Sequence, residues 1–219
     1  MIELQLPRGR RGRPLRVLCL GAHCDDIDIG CGATLLKLLA ERGPVDVTWV
    51  AFNAPAARAR ELRASARKFL RGAAVSAVVT HEFRDSYFPA QYREIKEAFE
   101  PLKQNMSPDL IFTHRLDDMH QDHRLVAELT WNAFRRHLIL AYEIAKYEGD
   151  LKPTNAFVRL DRETVDRKIE ILTSVYKSQA RKPWFSRETF EAVMRLRGIE
   201  AGAPGGWAEG FHATKFCLG

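Results

Sequence analysis

The sequence predicts a three-layer α/β fold in which helices cover both faces of a mostly parallel sheet. Short apolar runs without a helical period, such as residues 15–22 (LRVLCLGA), alternate with segments whose apolar positions recur at helical spacing. Right-handed crossovers between parallel strands place such helices on the two faces of the sheet. This arrangement is Rossmann-like, and it binds ligands at the carboxyl ends of its strands.

Strands and helices are predicted alternately from residue 15 to the end of the chain. The first helix carries an apolar stripe that ends before Gly43 and Pro44. Because glycine and proline stop helices, the helix is predicted to end there. The other boundaries follow from the same change between apolar runs and helical spacing. The predicted elements are strand 15–22, helix 30–39, strand 45–52, helix 56–70, strand 74–80, helix 91–104, strand 108–114, helix 124–136, strand 138–144, strand 156–160, helix 162–176, helix 187–197 and strand 211–218.

The composition predicts one globular domain, residues 15–219, behind a basic flexible tail, residues 1–14. Of the 219 residues, 46% are hydrophobic and 28% are charged, and a chain of this length buries about 70% of its unfolded surface without disulfides. No window reaches the roughly 18 consecutive apolar residues of a membrane span, and the amino terminus lacks the apolar stretch of a signal peptide. We therefore expect a cytoplasmic protein with reduced cysteines and no membrane partner.

The positive net charge is concentrated in the tail. Residues 1–16 carry five arginines and one glutamate, which account for +4 of the net charge of +6. No aromatic residues interleave with these arginines, as they do in proteins that bind single-stranded nucleic acid. The charge therefore does not indicate a nucleic-acid partner.

Two clusters of histidine and aspartate directly follow two predicted strands. The first, HCDDID, contains His23, Asp25, Asp26 and Asp28. Carboxylates gathered at one edge of a sheet repel one another unless a cation lies among them, and a divalent metal supplies that charge. The second cluster, HRLDDMHQDH, contains His114, Asp117, Asp118, His120, Asp122 and His123.

Three of these residues form a candidate metal site. A catalytic zinc takes three protein ligands from His and Asp or Glu and leaves one position for water. His23 and Asp26 lie three residues apart on one tight turn, and His123 begins the helix after the second cluster. The same ligand types hold iron in ferrous oxygenases, so zinc, iron or another divalent metal stays open. Taken singly, Asp25 or Asp26 has the alternative role of a helix cap, and His123 that of a core histidine.

Signatures of other enzyme classes are missing from the sequence. Gly30-Cys31-Gly32 does not continue as the GxGxxG of a dinucleotide-binding loop. The chain also lacks the GxxxxGK[ST] phosphate loop, the GxSxG elbow and the HExxH metal motif. Kinase, serine hydrolase and dinucleotide-binding functions therefore lose support.

Residues 22–28 read AHCDDID, residues 29–35 read IGCGATL, and residues 120–124 read HQDHR. These motifs resemble the AHPDDxE, IGCGGTL and HxDHR signatures of the LmbE-like or PIG-L-like zinc-dependent N-deacetylases. The resemblance covers nearly the whole chain after the tail. It extends to an RxxE pair, a Tyr-Glu-Ile strand, a Lys…Tyr-x-Ser-Gln stretch and a late Ala-Glu-Gly-Phe, which are formed here by Arg58, Glu61, residues 142–144, Lys168, Tyr176, Ser178, Gln179 and residues 208–211.

The chain departs from the family motif at three positions. Cys24 stands where the family usually has proline, Asp28 where it has glutamate, and Ala33 where it has glycine. Cys24 is either a competing metal ligand or a tolerated small residue. Asp28 is one methylene shorter than glutamate, so any hydrogen bond by which this acid fixes the ligand turn has a shorter reach.

The resemblance implies a role for each matching residue. Asp25 would be the general base for a zinc-activated water, and His120, oriented by Asp122, would stabilise the oxyanion. The metal ligands would be His23, Asp26 and His123. Substrate contacts would come from Arg58, Arg187, Glu209 and His212, of which Arg58 has the alternative of a solvated helix face.

The activity that the resemblance implies is hydrolysis of an N-acetyl or other N-acyl amide on a small molecule that contains an amino sugar. Sugar conjugates, nucleotide sugars and antibiotic intermediates are all expected substrate classes. Two alternatives stay open: a catalytically weakened metal- or sugar-binding protein of the same fold, and a deacylase of a non-acetyl amide. Trimers and hexamers are common in the family, so the resemblance also implies a homo-oligomer.

Overall fold

The computed structural model describes residues 3–5, 12–215 and 217, which together form a seven-stranded, mostly parallel sheet. The strands are β1 (Leu15–Gly21), β2 (Val45–Ala51), β3 (Val75–Thr80), β4 (Leu110–Thr113), β5 (Leu138–Tyr142), β6 (Ala156–Leu160) and β7 (Trp207–Ala213). They lie in the order β3-β2-β1-β4-β5-β7-β6, and β7 runs antiparallel to β5 and β6. The predicted fold class is confirmed.

Helices cover both faces of this sheet, as the strand–helix alternation predicts. They are α1 (Asp26–Glu41), α2 (Ala56–Phe69), α3 (Tyr92–Asn105), α4 (Gln121–Ala133), α5 (Arg162–Val175) and α6 (Arg187–Glu200). Helices α1, α2 and α5 pack into one core, and α3 and α4 pack into a second core on the opposite face. The chain moves outward in one direction from β1 to β3 and in the other from β4 to β5. The loops that follow β1 and β4 therefore meet at the topological switch point of the sheet.

Several element boundaries differ from those predicted, among them the starts of two helices and the span of the last strand. Helix α1 begins at Asp26 rather than at residue 30, and α4 begins at Gln121 rather than at residue 124. Acidic side chains in the first turns of both helices interact favourably with the helix dipole, but their polarity hides the apolar period. The last strand spans Trp207–Ala213, so the prediction of 211–218 was too late, and residues 216 and 218 lie outside the described part.

Two glycines of α1 let this helix pack closely against its neighbours. A Cβ atom at Gly30 would lie 2.2 Å from Cδ2 of Tyr142, and one at Gly32 would lie 2.7 Å from Cε1 of Phe69. Tyr142 in turn donates a hydrogen bond from its hydroxyl to the carbonyl of Leu20, over 2.7 Å. The glycines therefore fix the distance between α1 and the strand ends that carry the site.

The predicted tail falls mostly outside the described residues, since residues 1–2 and 6–11 are not described. Arg13, which is described, donates hydrogen bonds to both carboxylate oxygens of Asp109, over 2.9 and 2.8 Å. The division into a tail and one domain stays a prediction. In the described part of the chain, every helix is too short or too polar to cross a bilayer.

Candidate metal and catalytic site

The first cluster forms the turn between β1 and α1. The backbone N–H of His23 donates to Asp26 Oδ2 over 2.6 Å, which closes the turn on its own side chain. This closure brings His23 Nδ1 to 3.4 Å from Asp26 Oδ2. His23 and Asp26 are both at least nine-tenths buried. Two potential metal ligands thus lie close together in a turn that contains a local hydrogen bond.

The second cluster brings His123 to the same point. His123 lies in the first turn of α4, and its Nε2 is 3.1 Å from His23 Nδ1 and 3.6 Å from Asp26 Oδ1. Ligand atoms about 2.0–2.1 Å from a tetrahedral zinc stand about 3.3 Å from one another, by simple geometry. The donor types of these three side chains suit zinc, and each pair lies 3.1–3.6 Å apart, with His23 nearest to Oδ2 of Asp26 and His123 nearest to Oδ1. Among the described residues, His23 and His123 also form a potential metal-holding group with His120, and Asp26 and His123 form one with His114.

Asp118 fixes the orientation of His123. Asp118 Oδ2 lies 3.0 Å from His123 Nδ1, so Nδ1 carries the proton and Nε2 keeps a free lone pair. Lys146 and the backbone N–H of His120 hold the other Asp118 oxygen, at 3.1 and 2.8 Å. These contacts, against the cost of burial, hold the pKa of Asp118 well below its usual range. Asp118 belongs to the second cluster, but its position in the sequence predicted no role for it.

One carboxylate oxygen of Asp25 is hydrogen-bonded, and the other has no partner among the described residues. Its Oδ1 accepts a hydrogen bond from Arg58 Nη2 over 2.7 Å, whereas its Oδ2 is buried and has no hydrogen-bond partner among the described residues. Burial raises the pKa of Asp25, and the Arg58 guanidinium opposes that rise. The contact also places Arg58 at the base rather than on a solvated helix face. A free carboxylate oxygen beside the ligands is suited to accept a proton.

The pairing of His120 with Asp122 differs from the expected one. The two residues are joined by the backbone N–H of Asp122, which donates to His120 Nδ1 over 3.3 Å at the start of α4. The Asp122 carboxylate instead accepts the backbone N–H groups of Ser86 and Phe88, over 2.6 and 3.1 Å. The expectation that this carboxylate orients His120 is therefore corrected. It holds the loop after β3, because that loop passes directly over the start of α4.

His120 has the electrostatics of a neutral imidazole. Burial lowers the pKa of His120, and the neighbouring His23 ring lowers it further. Because Nδ1 accepts a hydrogen bond, the proton of the neutral ring lies on Nε2. His120 also lines the cleft described below. It can therefore offer an N–H donor to a ligand.

Two residues that no motif indicated complete the surroundings of the ligands. Asp85 Oδ1, on the loop after β3, lies 3.2 Å from His23 Nε2. The His114 ring stacks on that of His123 with 3.9 Å between centroids, and His114 Nε2 accepts the backbone N–H of Ala22 over 2.9 Å. His114 directly follows β4 and belongs to the second cluster, so its position was a usable signal. Asp85 carried no comparable signal.

Three predicted substrate contacts lie away from the ligands. Glu209 is buried, lies 2.6 Å from Lys168 Nζ, and accepts backbone N–H groups of α1, so it supports that helix. Arg187 lies on α6 and forms exposed ion pairs with acidic side chains. His212 pairs with β5 across the sheet and is not among the residues that line the cleft. The described structure thus does not bring these three residues to the ligands, and their role as substrate contacts stays a prediction.

A cleft of about 200 Å³ opens above the ligands. Its floor is formed by His23, Asp26, His123, Asp25 and Arg58. Its walls come from the loops after β3, β4 and β5 and from the segment between α5 and α6, and they include Asp85, His120, Ile144, Lys146, Tyr147, Glu148, Lys182 and Trp184. Aromatic and charged side chains thus line the opening.

Cys24 and Asp28, the two departures in the ligand turn, are both buried. The Cys24 thiol donates to the carbonyl of Asn53 over 3.3 Å, and burial raises its pKa to about 12. Cys24 belongs to none of the groups in the described residues that could hold a metal. Asp28 accepts a hydrogen bond from Ser65, its Oδ2 lies 2.9 Å from the Tyr176 hydroxyl, and burial raises the pKa of Asp28 to about 8. The turn therefore keeps a protonated thiol and a carboxyl group that is mostly protonated at neutral pH.

The raised pKa of Asp28 predicts a pH-dependent stability. Between pH 3.8, the ordinary pKa, and about pH 8, the folded chain holds a proton that the unfolded chain has released. The free energy of unfolding should therefore fall as pH rises through this window, by at most about 1.4 kcal/mol per unit from this group. Asp28→Asn should remove that component, because an amide supplies the same donor at every pH.

Urea unfolding of metal-free wild type and Asp28→Asn at several pH values between about 5 and about 8 measures the difference in slope. The same substitution at Asp166, an exposed carboxylate on α5, is the matched control. An unchanged slope in Asp28→Asn would mean that the Asp28 carboxyl is ionised in the folded chain.

Comparisons with known proteins agree with this geometry. A family model described as PIG-L: GlcNAc-PI de-N-acetylase matches residues 18–134, which include both clusters. An uncharacterized deacetylase of Escherichia coli K12, YaiS, is 29% identical over 135 residues that cover 58% of this chain and 72% of YaiS. The matched region is the part of the fold that builds the ligand set.

Solved structures share the fold at low sequence identity. N,N'-diacetylchitobiose deacetylase from Pyrococcus horikoshii superposes with a TM-score of 0.70 at 21% identity, over 91% of this chain and 83% of its own. The zinc-inhibited form of teicoplanin deacetylase Orf2 superposes with a TM-score of 0.72 at 15% identity, over 90% of this chain and 97% of its own. The 4-carboxy-2-hydroxymuconate hydratase GalB from Pseudomonas putida superposes with a TM-score of 0.65 at 18% identity, over 94% of this chain and 98% of its own. Because a hydratase shares the fold, the activity must be argued from the site.

Proposed function

The chain belongs to the PIG-L family of de-N-acetylases, and from this premise we propose that it is a metal-dependent hydrolase that removes an N-acetyl group from a small amino-sugar compound. One observation carries the proposal. The free, buried Oδ2 of Asp25 lies in the same turn as His23 and Asp26, whose ligand atoms converge with His123 Nε2. A base beside a metal site is an arrangement for hydrolysis, whereas binding alone would not require it.

The ligand set supports a zinc ion held by His23 Nδ1, one oxygen of Asp26 and His123 Nε2. When bound, such an ion supplies Lewis acidity, which makes water acidic near neutral pH and polarises an amide carbonyl. Two imidazoles and one carboxylate also suit ferrous iron, so the metal is part of the test.

The side chains around the ligands have complementary tasks in amide hydrolysis. Asp25 Oδ2 takes a proton from the attacking water, while Arg58 holds Oδ1 and so fixes the direction of the carboxylate. His120 donates its Nε2–H to the oxyanion that forms as the carbonyl is attacked, which is a role that a neutral imidazole can fill. Protonated Asp25 then returns its proton to the departing amine.

The cleft walls support an amino-sugar substrate. Trp184 and Tyr147 offer aromatic faces to a sugar ring, and Lys182, Glu148 and Asp85 offer hydrogen bonds to hydroxyl groups. Two of the structural relatives are named as deacetylases, one of N,N'-diacetylchitobiose and one of teicoplanin. We therefore propose an N-acetylated amino sugar as the substrate class.

The test is metal content and acetate release on one sample. Protein purified without added metal is analysed for bound metal and then incubated with a panel of N-acetylated sugars and sugar nucleotides. About one zinc per chain together with acetate release from a panel member is the expected result. Metal-free protein that cannot be reconstituted would overturn the proposed site, and bound zinc without release of any acyl group would overturn the proposed hydrolysis.

A further inference from the structure

Several motif residues on α2 and after α5 have no task in the chemistry above, yet the structure joins them. Glu61, on α2, accepts a hydrogen bond from the backbone N–H of Ser178 over 3.0 Å and another from the Ser178 hydroxyl. Both carboxylate oxygens of Glu61 are used in this contact. The short segment of residues 176–179 is therefore clipped to α2 through one side chain.

Tyr176 extends from this clipped segment to the ligand turn. Its hydroxyl lies 2.8 Å from the carbonyl oxygen of Cys24 and 2.9 Å from Asp28 Oδ2. The side chain is fully buried. Ser65, one turn further along α2 from Glu61, also donates to Asp28. The backbone between the ligands His23 and Asp26 is thus held from outside the turn by a tyrosine.

The turn needs such support because its own sequence provides little. A proline at position 24 would restrict the backbone φ angle next to His23, whereas cysteine leaves it free. In this chain the Cys24 carbonyl is bound by Tyr176 and the Cys24 thiol by the Asn53 carbonyl. Two hydrogen bonds from other parts of the fold therefore restrict the residue that a pyrrolidine ring would otherwise restrict.

We propose that Tyr176, anchored to α2 through Ser178 and Glu61, is a positioning residue that holds residues 23–26 in the geometry that binds metal. The proposal rests on the proposed function only in taking this turn as part of a metal site. Tyr176 does not touch the ligand atoms. It acts by restricting the backbone that carries them, and it ties that backbone to the segment that continues to Lys182 and Trp184 in the cleft wall.

The experiment measures zinc affinity by chelator competition and the visible spectrum of the cobalt-substituted protein. Tyr176→Phe removes only the hydroxyl, and we expect zinc affinity to fall about tenfold or more, with a changed cobalt spectrum, as for other losses of support around metal ligands. Thr130→Val is the control, because it removes a fully buried hydroxyl, bonded to Thr113 and Val126, from α4. The control should leave both readouts near wild type.

Two further variants separate positioning from general stability. Glu61→Ala cuts the anchor on α2 without touching the turn, and it should weaken zinc binding in the same direction by a smaller factor. Cys24→Pro combined with Tyr176→Phe should recover part of the lost affinity, since a ring then restricts the turn directly. Urea unfolding of the metal-free variants shows whether each chain is folded during the metal titration.

Wild-type zinc affinity and an unchanged cobalt spectrum in both Tyr176→Phe and Glu61→Ala would overturn the proposal. A Thr130→Val control that loses as much affinity as Tyr176→Phe would also overturn it, because the effect would then be one of overall stability. These measurements use no substrate. A failure to release acetate therefore overturns the proposed function while the positioning role stands, and wild type that binds no zinc overturns both.

Discussion

Asp25→Asn is expected to lower kcat by about 10²–10⁴-fold, the range over which a general base contributes, and to leave zinc content near that of wild type. Asparagine has the size of aspartate, and its carbonyl oxygen can still accept the hydrogen bond from Arg58 Nη2. What is lost is the ability of Oδ2 to take a proton. Steady-state kinetics on the substrate found in the acetate screen, with metal analysis of the same sample, measures both quantities.

Asp25 is the base in this prediction because Asp26, Asp118 and Asp122 already accept hydrogen bonds or form ion pairs. Asp26 Oδ2 accepts the His23 backbone N–H, and Asp118 is held between His123 and Lys146. Asp122 accepts two backbone N–H groups of the loop after β3. Asp25 Oδ2, in contrast, is buried without a hydrogen-bond partner among the described residues.

Asp117→Asn provides the matched control for this substitution. Asp117 belongs to the second cluster, but half of its side chain is exposed, and it pairs with Arg115 and Lys152 rather than with a ligand. The same chemical change there should leave kcat within about twofold of wild type, as for most surface substitutions. If Asp25→Asn hydrolyses substrate as fast as wild type, another group is the base.

The proximity of the three candidate ligands could be predicted because local spacing and topology both constrain it. His23 and Asp26 meet within one turn, and His123 joins them because β1 and β4 are neighbours at the switch point of the sheet. Apolar runs made the strands visible, and from the strands the fold class followed. These features are encoded in short stretches that can be read without knowledge of long-range packing.

The supporting contacts could not be predicted in this way. Asp85 reaches His23 from a loop more than sixty positions away, and Tyr176 reaches Cys24 from further still. Such contacts depend on how helices pack on the sheet, which no local pattern specifies. Glu209 illustrates the opposite case, in which a motif match does not tell what the side chain contacts. It matched a motif, but packing directs it to Lys168 and to the backbone of α1 instead of the cleft.

His123→Ala is expected to abolish stoichiometric zinc binding and, with it, measurable hydrolysis. The substitution removes Nε2, which lies 3.1 Å from His23 Nδ1 and 3.6 Å from Asp26 Oδ1, and leaves too few protein ligands for a stable site. Asp118→Asn should act in the same direction but more weakly, with zinc affinity reduced about 10–100-fold, because it disturbs only the partner that orients His123. Equilibrium dialysis against a zinc chelator measures both variants on one scale.

The relative size of these two effects tests whether Asp118 acts on the metal through His123. His212→Ala is the control, since it removes an imidazole from β7, outside the ligand set, and should leave zinc affinity unchanged. If the imidazole of His123 binds metal only when Asp118 keeps its proton on Nδ1, the weak residual zinc affinity of His123→Ala, measured at high zinc concentration, should be the same with and without Asp118→Asn. Additive losses in the double variant would mean that Asp118 supports the metal through another route, and the assignment of the His123 tautomer would then be wrong.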